Sequence, residues 1–184
     1  MALVSAMVLG ALYAQDDATK GKEAVSRNGI TFYVEPNSSL KQDILSGKMD
    51  NAIKIMKQNE PKQKAARASA PPVSAVYIVG IQSSQGGWED LLDKQATTID
   101  HGGDVILVGT LVQGYGGSQY DSATYAGISV PQMQSNCWDA NNDRICDGWI
   151  DYWNLSGYGN SGLFVFKARS INPGPTKQTS VMIK

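Results

Sequence analysis

Val105–Val112 reads VILVGTLV, apolar at nearly every position, and Val76–Ile81 (VYIVGI) has the same texture. Short apolar runs rich in β-branched residues are the signature of central strands in a sheet. Outward from them, Thr124–Val130 reads as a strand ended by Pro131, Leu163–Arg169 (LFVFKAR) alternates, and Thr179–Lys184 supplies a closing strand. Trp88–Thr98 (WEDLLDKQATT), with Trp88, Leu91, Leu92 and Gln95, reads as a short surface helix. Gly114–Ser118 and Gly157–Gly162 are glycine-rich loops.

Before Pro72 the texture is helical. Ser39 and Gln42 form a capping-box pattern. The helix it opens carries Leu40, Ile44, Leu45, Met49, Ile53 and Met56, mostly three or four apart, which gives one apolar face for core packing. Ile30–Val34 (ITFYV) is a short β-prone run, and Asn59–Pro72 is a basic, proline-bounded linker. Residues 15–27 (QDDATKGKEAVSR) read as a polar helix stopped by Asn28-Gly29. Met1–Ala14 (MALVSAMVLGALYA) is uncharged and almost wholly apolar. As a helix it rises about 21 Å, too short to cross a membrane core of about 30 Å comfortably. It is a secretory segment that is removed, the start of a retained apolar helix, or an ordinary buried helix; the first two readings export the protein. The expected fold is therefore α+β: an N-terminal apolar helix, then a globular domain with a mostly antiparallel sheet and a stapled acidic loop. The expected divisions are 1–27 (helix, apolar over 1–14), 28–70 (helical segment and linker) and 71–184 (β-rich globular domain).

The chain has 184 residues and a net charge of −1, so the total gives no reason to expect nucleic-acid binding. The charge is unevenly spread, at +3 over residues 1–85, −8 over 86–151 and +4 over 152–184. An acidic middle between basic ends suits head-to-tail packing of subunits, although a solvated surface needs no such explanation.

The informative stretch is Cys137-Trp138-Asp139-Ala140-Asn141-Asn142-Asp143-Arg144-Ile145-Cys146-Asp147. Oxygen donors stand at Asp139, Asn141, Asp143 and Asp147, which are positions 1, 3, 5 and 9 of a loop, and the Ile145 carbonyl is available at position 7. Alternating donors on a tightly turning backbone can aim at one hard cation, and the ion expected is calcium. Position 6 is Arg144 where glycine would ease the turn, and position 12 is Ile150, so Asp151 at 13 is the nearest further carboxylate. Cys137 and Cys146 are the only cysteines and bracket the loop; in an exported protein they read as a disulfide. Zinc does not fit two cysteines and a single histidine at this spacing. Trp138, Trp149, Tyr152, Trp153 and Tyr158 crowd the loop. They either wall a small core or, at Trp138, Trp149, Tyr152 and Trp153, offer a face to a sugar or protein partner.

No enzyme is expected. His101 is the sole histidine, no Gly-x-Ser-x-Gly elbow is present, and neither glycine-containing stretch (80–87 or 109–117) ends as a phosphate loop does. Glu89 and Asp93 sit at i, i+4, the spacing of a solvated helix face.

The loop at 139–147 resembles the calcium loops of thrombospondin type 3 repeats and, less closely, those of EF-hands and dockerins. The run Val4-Ser5-Ala6-Met7-Val8-Leu9 followed by Gln15-Asp16-Asp17-Ala18 resembles the later half of the apolar helix of type IV pilins, particularly type IVb, and of the related pseudopilins. Pilins normally carry Glu at the fifth mature position, where this chain has Ser5. That resemblance implies a structural subunit of an extracellular, calcium-stabilised filament. It also implies a helical homo-oligomer at the cell surface that is exported across the inner membrane and held there through residues 1–14 before assembly. The alternative is a secreted calcium-dependent adhesion or carbohydrate-binding module with a cleaved signal peptide.

Overall fold

The structure, a computed structural model, describes residues 18–58, 71–116, 121–171 and 174–184. Along the chain come β1 (Glu23–Arg27), β2 (Ile30–Val34), α1 (Ser39–Ser46), α2 (Asp50–Gln58), β3 (Ala75–Ser83), β4 (Gly87–Asp90) and β5 (Ile106–Gln113). After them come β6 (Ser122–Tyr125), β7 (Ile128–Val130), β8 (Gln132–Asp139), β9 (Gly148–Asn154), β10 (Gly162–Arg169) and β11 (Thr176–Ile183). Seven strands form one sheet in the order β1-β2-β8-β9-β5-β3-β4, and four form a second in the order β11-β10-β6-β7. Every pairing between these strands is antiparallel.

The expected α+β class with a long N-terminal helix is overturned: the fold is mostly antiparallel β, a half-barrel with two short helices. Ala18 and Thr19 are helical, the chain turns through Gly21 at φ 76°, and Glu23–Arg27 is strand β1 rather than a continuing helix. Alanine, glutamate and arginine favour helix in isolation, but here each residue of the segment is paired with β2, and tertiary pairing overrides propensity. Asn28-Gly29, at φ 49° and 81°, makes the two-residue hairpin between these strands and not a helix stop. The apolar stretch Met1–Ala14 and most of the linker (59–70) lie outside the described residues.

The helical face of residues 40–56 is split in two. Ser38, one residue before the expected cap, accepts from the Lys41 N–H at 3.2 Å, and Gly47 at φ 88° closes α1 in the left-handed conformation. Leu40, Ile44, Met49, Ile53 and Met56 are buried, whereas Leu45 is 61% exposed because it lies on α1 away from the stripe of Leu40 and Ile44. Trp88–Thr98 is not a helix either: β4 ends at Asp90 and Asp93 turns at φ 61°.

Two cores enclose the seven-stranded sheet. Ile106, Val108 and Val112 of β5 pack with Ile78, Ile81, Trp153, Phe164, Phe166 and Val181 between the sheets. Leu107 and Leu111, of opposite parity, pack with Phe32, Ile44, Ile53, Met56, Trp138 and Tyr152 beneath the helices. All eight residues of β5 are therefore buried, which is why its sequence shows no alternation. β1 and β2 belong to the same sheet as β8, so that sheet crosses the boundary expected at residue 71.

Gly148, the first residue of β9, sits under the Trp138 indole. A Cβ there would lie 2.0 Å from the Val112 carbonyl oxygen and 2.7 Å from Trp138 Nε1. Gly148→Ala should cost about 3 kcal/mol or more through overpacking against backbone, read as a lowered urea midpoint.

Candidate functional site

The loop between β8 and β9 is closed by a disulfide, with the Cα atoms of Cys137 and Cys146 5.5 Å apart. Asp139 is fully buried at its base. Its Oδ1 accepts from the N–H groups of Asn141 (3.0 Å) and Asn142 (2.8 Å), and its Oδ2 accepts from the Arg144 N–H (2.8 Å). The pattern then climbs: Asn141 Oδ1 accepts from Asp143 N–H at 3.0 Å, and Asp143 Oδ1 accepts from Ile145 N–H at 2.9 Å. Asp147 Oδ2 returns to the Ala140 N–H at 2.8 Å. The bonds of Asp139, Asn141 and Asp143 to the N–H two residues on are Asx turns, in which a short side chain takes the place of a backbone acceptor.

Asn142 and Arg144 adopt φ 59° and 67°. Position 6 lacks the glycine that would ease the turn, yet Arg144 itself takes the left-handed conformation, at a cost on the order of 1–2 kcal/mol. The Thr31 hydroxyl on β2 bonds Asn142 Oδ1, and Tyr33 lies close enough that burial, then the charge of Asp139, raises its phenol. Asn141, Asp143, Arg144 and Ile145 are exposed. Among the described residues no three His, Cys, Asp or Glu side chains are gathered as a metal set.

Asp151 is not a donor of this loop. It lies in β9, opposite Ser135 of β8, four residues and about 13 Å of strand beyond Asp147. Its side chain faces Asp121 and Ser135. The aromatics are also placed differently from a recognition face. Trp138, Tyr152 and Trp153 are at most 2% exposed, Trp149 is partly buried against the cystine, and none forms an open platform. Trp138 Nε1 donates to Val112 O at 3.2 Å, Trp153 Nε1 to Thr110 Oγ1 at 2.9 Å, and Tyr152 Oη to Asp43 Oδ2 at 2.7 Å.

Two polar clusters are assembled by the fold from residues that local sequence patterns do not link. In the first, Lys48 reaches Asp43 at 3.1 Å and Gln82 at 3.0 Å beside the Tyr152–Asp43 bond, in a small cleft also lined by Ser39, Gln42 and Leu107. Burial, then the Asp43 charge, pushes the Tyr152 phenol well up. In the second, Ser83 Oγ bonds His101 Nδ1 at 3.0 Å, and His101 Nε2 bonds Glu89 Oε2 at 3.0 Å. The connectivity is that of a serine–histidine–carboxylate relay, but His101 is wholly buried and Ser83 is 2% exposed. Ser83 Oγ also accepts from the Gly86 N–H at 2.8 Å. Glu89 also accepts from Thr98 N–H and Oγ1, Ile99 N–H and Lys94 Nζ, fixing the loop that sequence periodicity read as a helix.

Residues 65–183 match the family described as a domain of unknown function, DUF4879, and the chain belongs to that family. No curated protein and no solved structure matches it.

Burial opposes ionisation of Glu89, but its hydrogen bonds from Thr98, His101 and Lys94 outweigh this and hold the carboxyl at about 2 against an ordinary 4.5. A depressed value gives stability that is present above pH 4.5 and lost as pH falls toward 2. Glu89→Gln should therefore lower stability by about 3 kcal/mol at pH 7 and by much less near pH 2, measured by urea unfolding at both.

Proposed function

We propose that the protein is an exported, non-enzymatic module whose cystine-closed loop, Asp139–Asp147, binds calcium. The observation that supports this reading is the backbone of that loop. Inside a short covalent ring it takes left-handed turns at two non-glycine positions, with an oxygen donor at every second residue. Strain of this kind persists where the surroundings over-determine it, and it is concentrated at functional segments. Asp139 Oδ1 already accepts two N–H groups, but Asp139 Oδ2, Asn141 Oδ1, Asp143 Oδ1 and Asp147 Oδ2 each accept one in the hydrogen bonds above and keep a second lone pair for a cation. Calcium would draw Asp143 and Asp147 inward toward Asp139, Asn141 and the Ile145 carbonyl. It tolerates the irregular, oxygen-rich shell such a loop offers, whereas magnesium demands a near-ideal octahedron.

Of the two export readings, the secreted module is the better supported. A filament subunit needs its apolar helix to run on into the globular domain. Here the chain turns at Gly21 and enters strand β1, and helices α1 and α2 occupy the outer face of the large sheet. A carbohydrate-binding role would need exposed aromatic faces, and the loop's tryptophans are spent on packing; a protein or surface partner fits the exposed, charged loop better.

Thermal midpoints in calcium, in magnesium and in chelator test the metal. Saturating calcium should raise the midpoint by the linkage term, about 2.7 kcal/mol at a hundredfold excess over the dissociation constant. Magnesium should do little, and Asp143→Ala should abolish the effect; equal midpoints in calcium and chelator would reduce the loop to an acidic turn. Export makes a separate demand: unreduced, denatured protein should offer no thiol to an alkylating label, and two labelled cysteines would remove the case for an oxidising compartment.

A further inference from the structure

Behind the cystine, on the side of the large sheet that faces away from the helices, lies a buried polar patch. Register sets Ser135 opposite Asp151 and Gln132 opposite Trp153, so these side chains leave β8 and β9 on one face. Asp151 is fully buried. Asp121, at the entry to β6 of the other sheet, meets it there; a Cβ on Gly116 would lie 3.3 Å from Asp121 Oδ1. Both carboxylates, with Ser135 Oγ, Gln132 Nε2 and Trp149 Nε1, are shut away from solvent without a hydrogen bond of good geometry among the described residues. Two carboxylates in one dry space cannot both hold a negative charge without large cost.

We propose that Asp121 and Asp151 form a proton-sharing latch between the two sheets, closed at acid and neutral pH and released at alkaline pH. With one proton between them, one carboxyl donates an O–H···O⁻ bond to the other, among the stronger hydrogen bonds available to a protein. When that proton passes to solvent base, two like charges remain and the entry to β6 parts from β9. The groups that face the pair are few. Lys22, from the turn before β1, donates from Nζ to the Ser135 carbonyl at 2.8 Å and contributes the nearest positive charge. Burial lowers the Lys22 ammonium, which limits its power to neutralise a second carboxylate. β10 offers the Arg169 main-chain N–H to Asp121. β5 offers Thr110, whose hydroxyl accepts from Trp153 Nε1. The chain's one histidine is held by Ser83 and Glu89 and takes no part.

The electrostatics agree with this geometry. Burial first, and then the charge of Asp151, push Asp121 up to about 8. Burial raises Asp151 to about 6, with Ser135, Asp121, Gln132 and Lys22 pulling it partway back. In the unfolded chain both ionise near 3.8, so the folded state holds the extra protons through the interval up to about 8. Raised values give stability that is full below 3.8 and is lost as pH rises through 6 and 8.

The test is urea unfolding from pH 5 to 9 in the presence of chelator, on wild type, Asp121→Asn and Asp151→Asn. The wild-type folding constant should fall by about tenfold per pH unit while one extra proton is held. Either asparagine variant should flatten that slope, since an amide hydrogen-bonds a carboxylate without a shared proton. Infrared difference spectra of folded wild type at pH 6 should show a protonated carboxyl that both variants lack, a readout that a merely structural role would not move. A flat wild-type profile, or no protonated carboxyl, would overturn the latch. So would a stability gain from calcium at pH 8 in an Asp143→Ala background that disappears on adding Asp151→Asn, because the pair would then be holding a cation instead of a proton.

Discussion

Everything in the fold is arranged around the double burial of β5. A strand with apolar side chains on both faces needs cover on both, and the chain supplies it by different means. The four-stranded sheet lays Phe164, Phe166 and Val181 against one side. Helices α1 and α2 lay Ile44, Ile53 and Met56 against the other. Hydrophobic stabilisation scales with the apolar area removed from water, so the strand that loses most exposure organises the rest. β9, its neighbour, inherits the same division, with Ile150 and Tyr152 to the helices and Trp153 to the second sheet.

β8 and β9 meet this two-sided core at one end and the acidic loop at the other. The disulfide sits at the transition, packed with Tyr115, Tyr33 and Trp149. Closing a ring of roughly ten residues constrains the unfolded chain by on the order of 2–3 kcal/mol in the entropic picture. Asp139 performs the corresponding task in the folded state by gathering three N–H groups from the exposed turn. Covalent closure and a buried carboxylate thus hold the same loop from two sides, and the exposed residues between them are left to present their oxygens.

What was legible in the sequence was what depends on neighbours along the chain. Val76–Ile81, Val105–Val112 and Leu163–Arg169 lie in β3, β5 and β10, because run length and alternation are local signals. The cysteine pair was legible because only two exist. β1 was not: its residues favour helix, it is mostly exposed, and only the β2 partner makes it a strand. β8 and β9 were hidden by the polar residues that face the Asp121–Asp151 patch, which break the expected apolar alternation. The stretch after Trp88 has helical periodicity, yet five donors converging on Glu89 decide its path. Asp151 looked like a thirteenth loop position because sequence distance conceals the extended rise of a strand.

The span matched by the family begins at residue 65, after α2 has ended. Yet β2, α1 and α2 are what cover Leu107, Leu111, Trp138, Ile150 and Tyr152. A fragment cut to the family boundary would therefore carry a bare greasy wall along its largest sheet, with β8 left as an unpaired edge. Such a surface invites self-association. In this chain the boundary drawn by sequence similarity and the boundary that keeps the large sheet covered are different places, and the second lies upstream of Glu23.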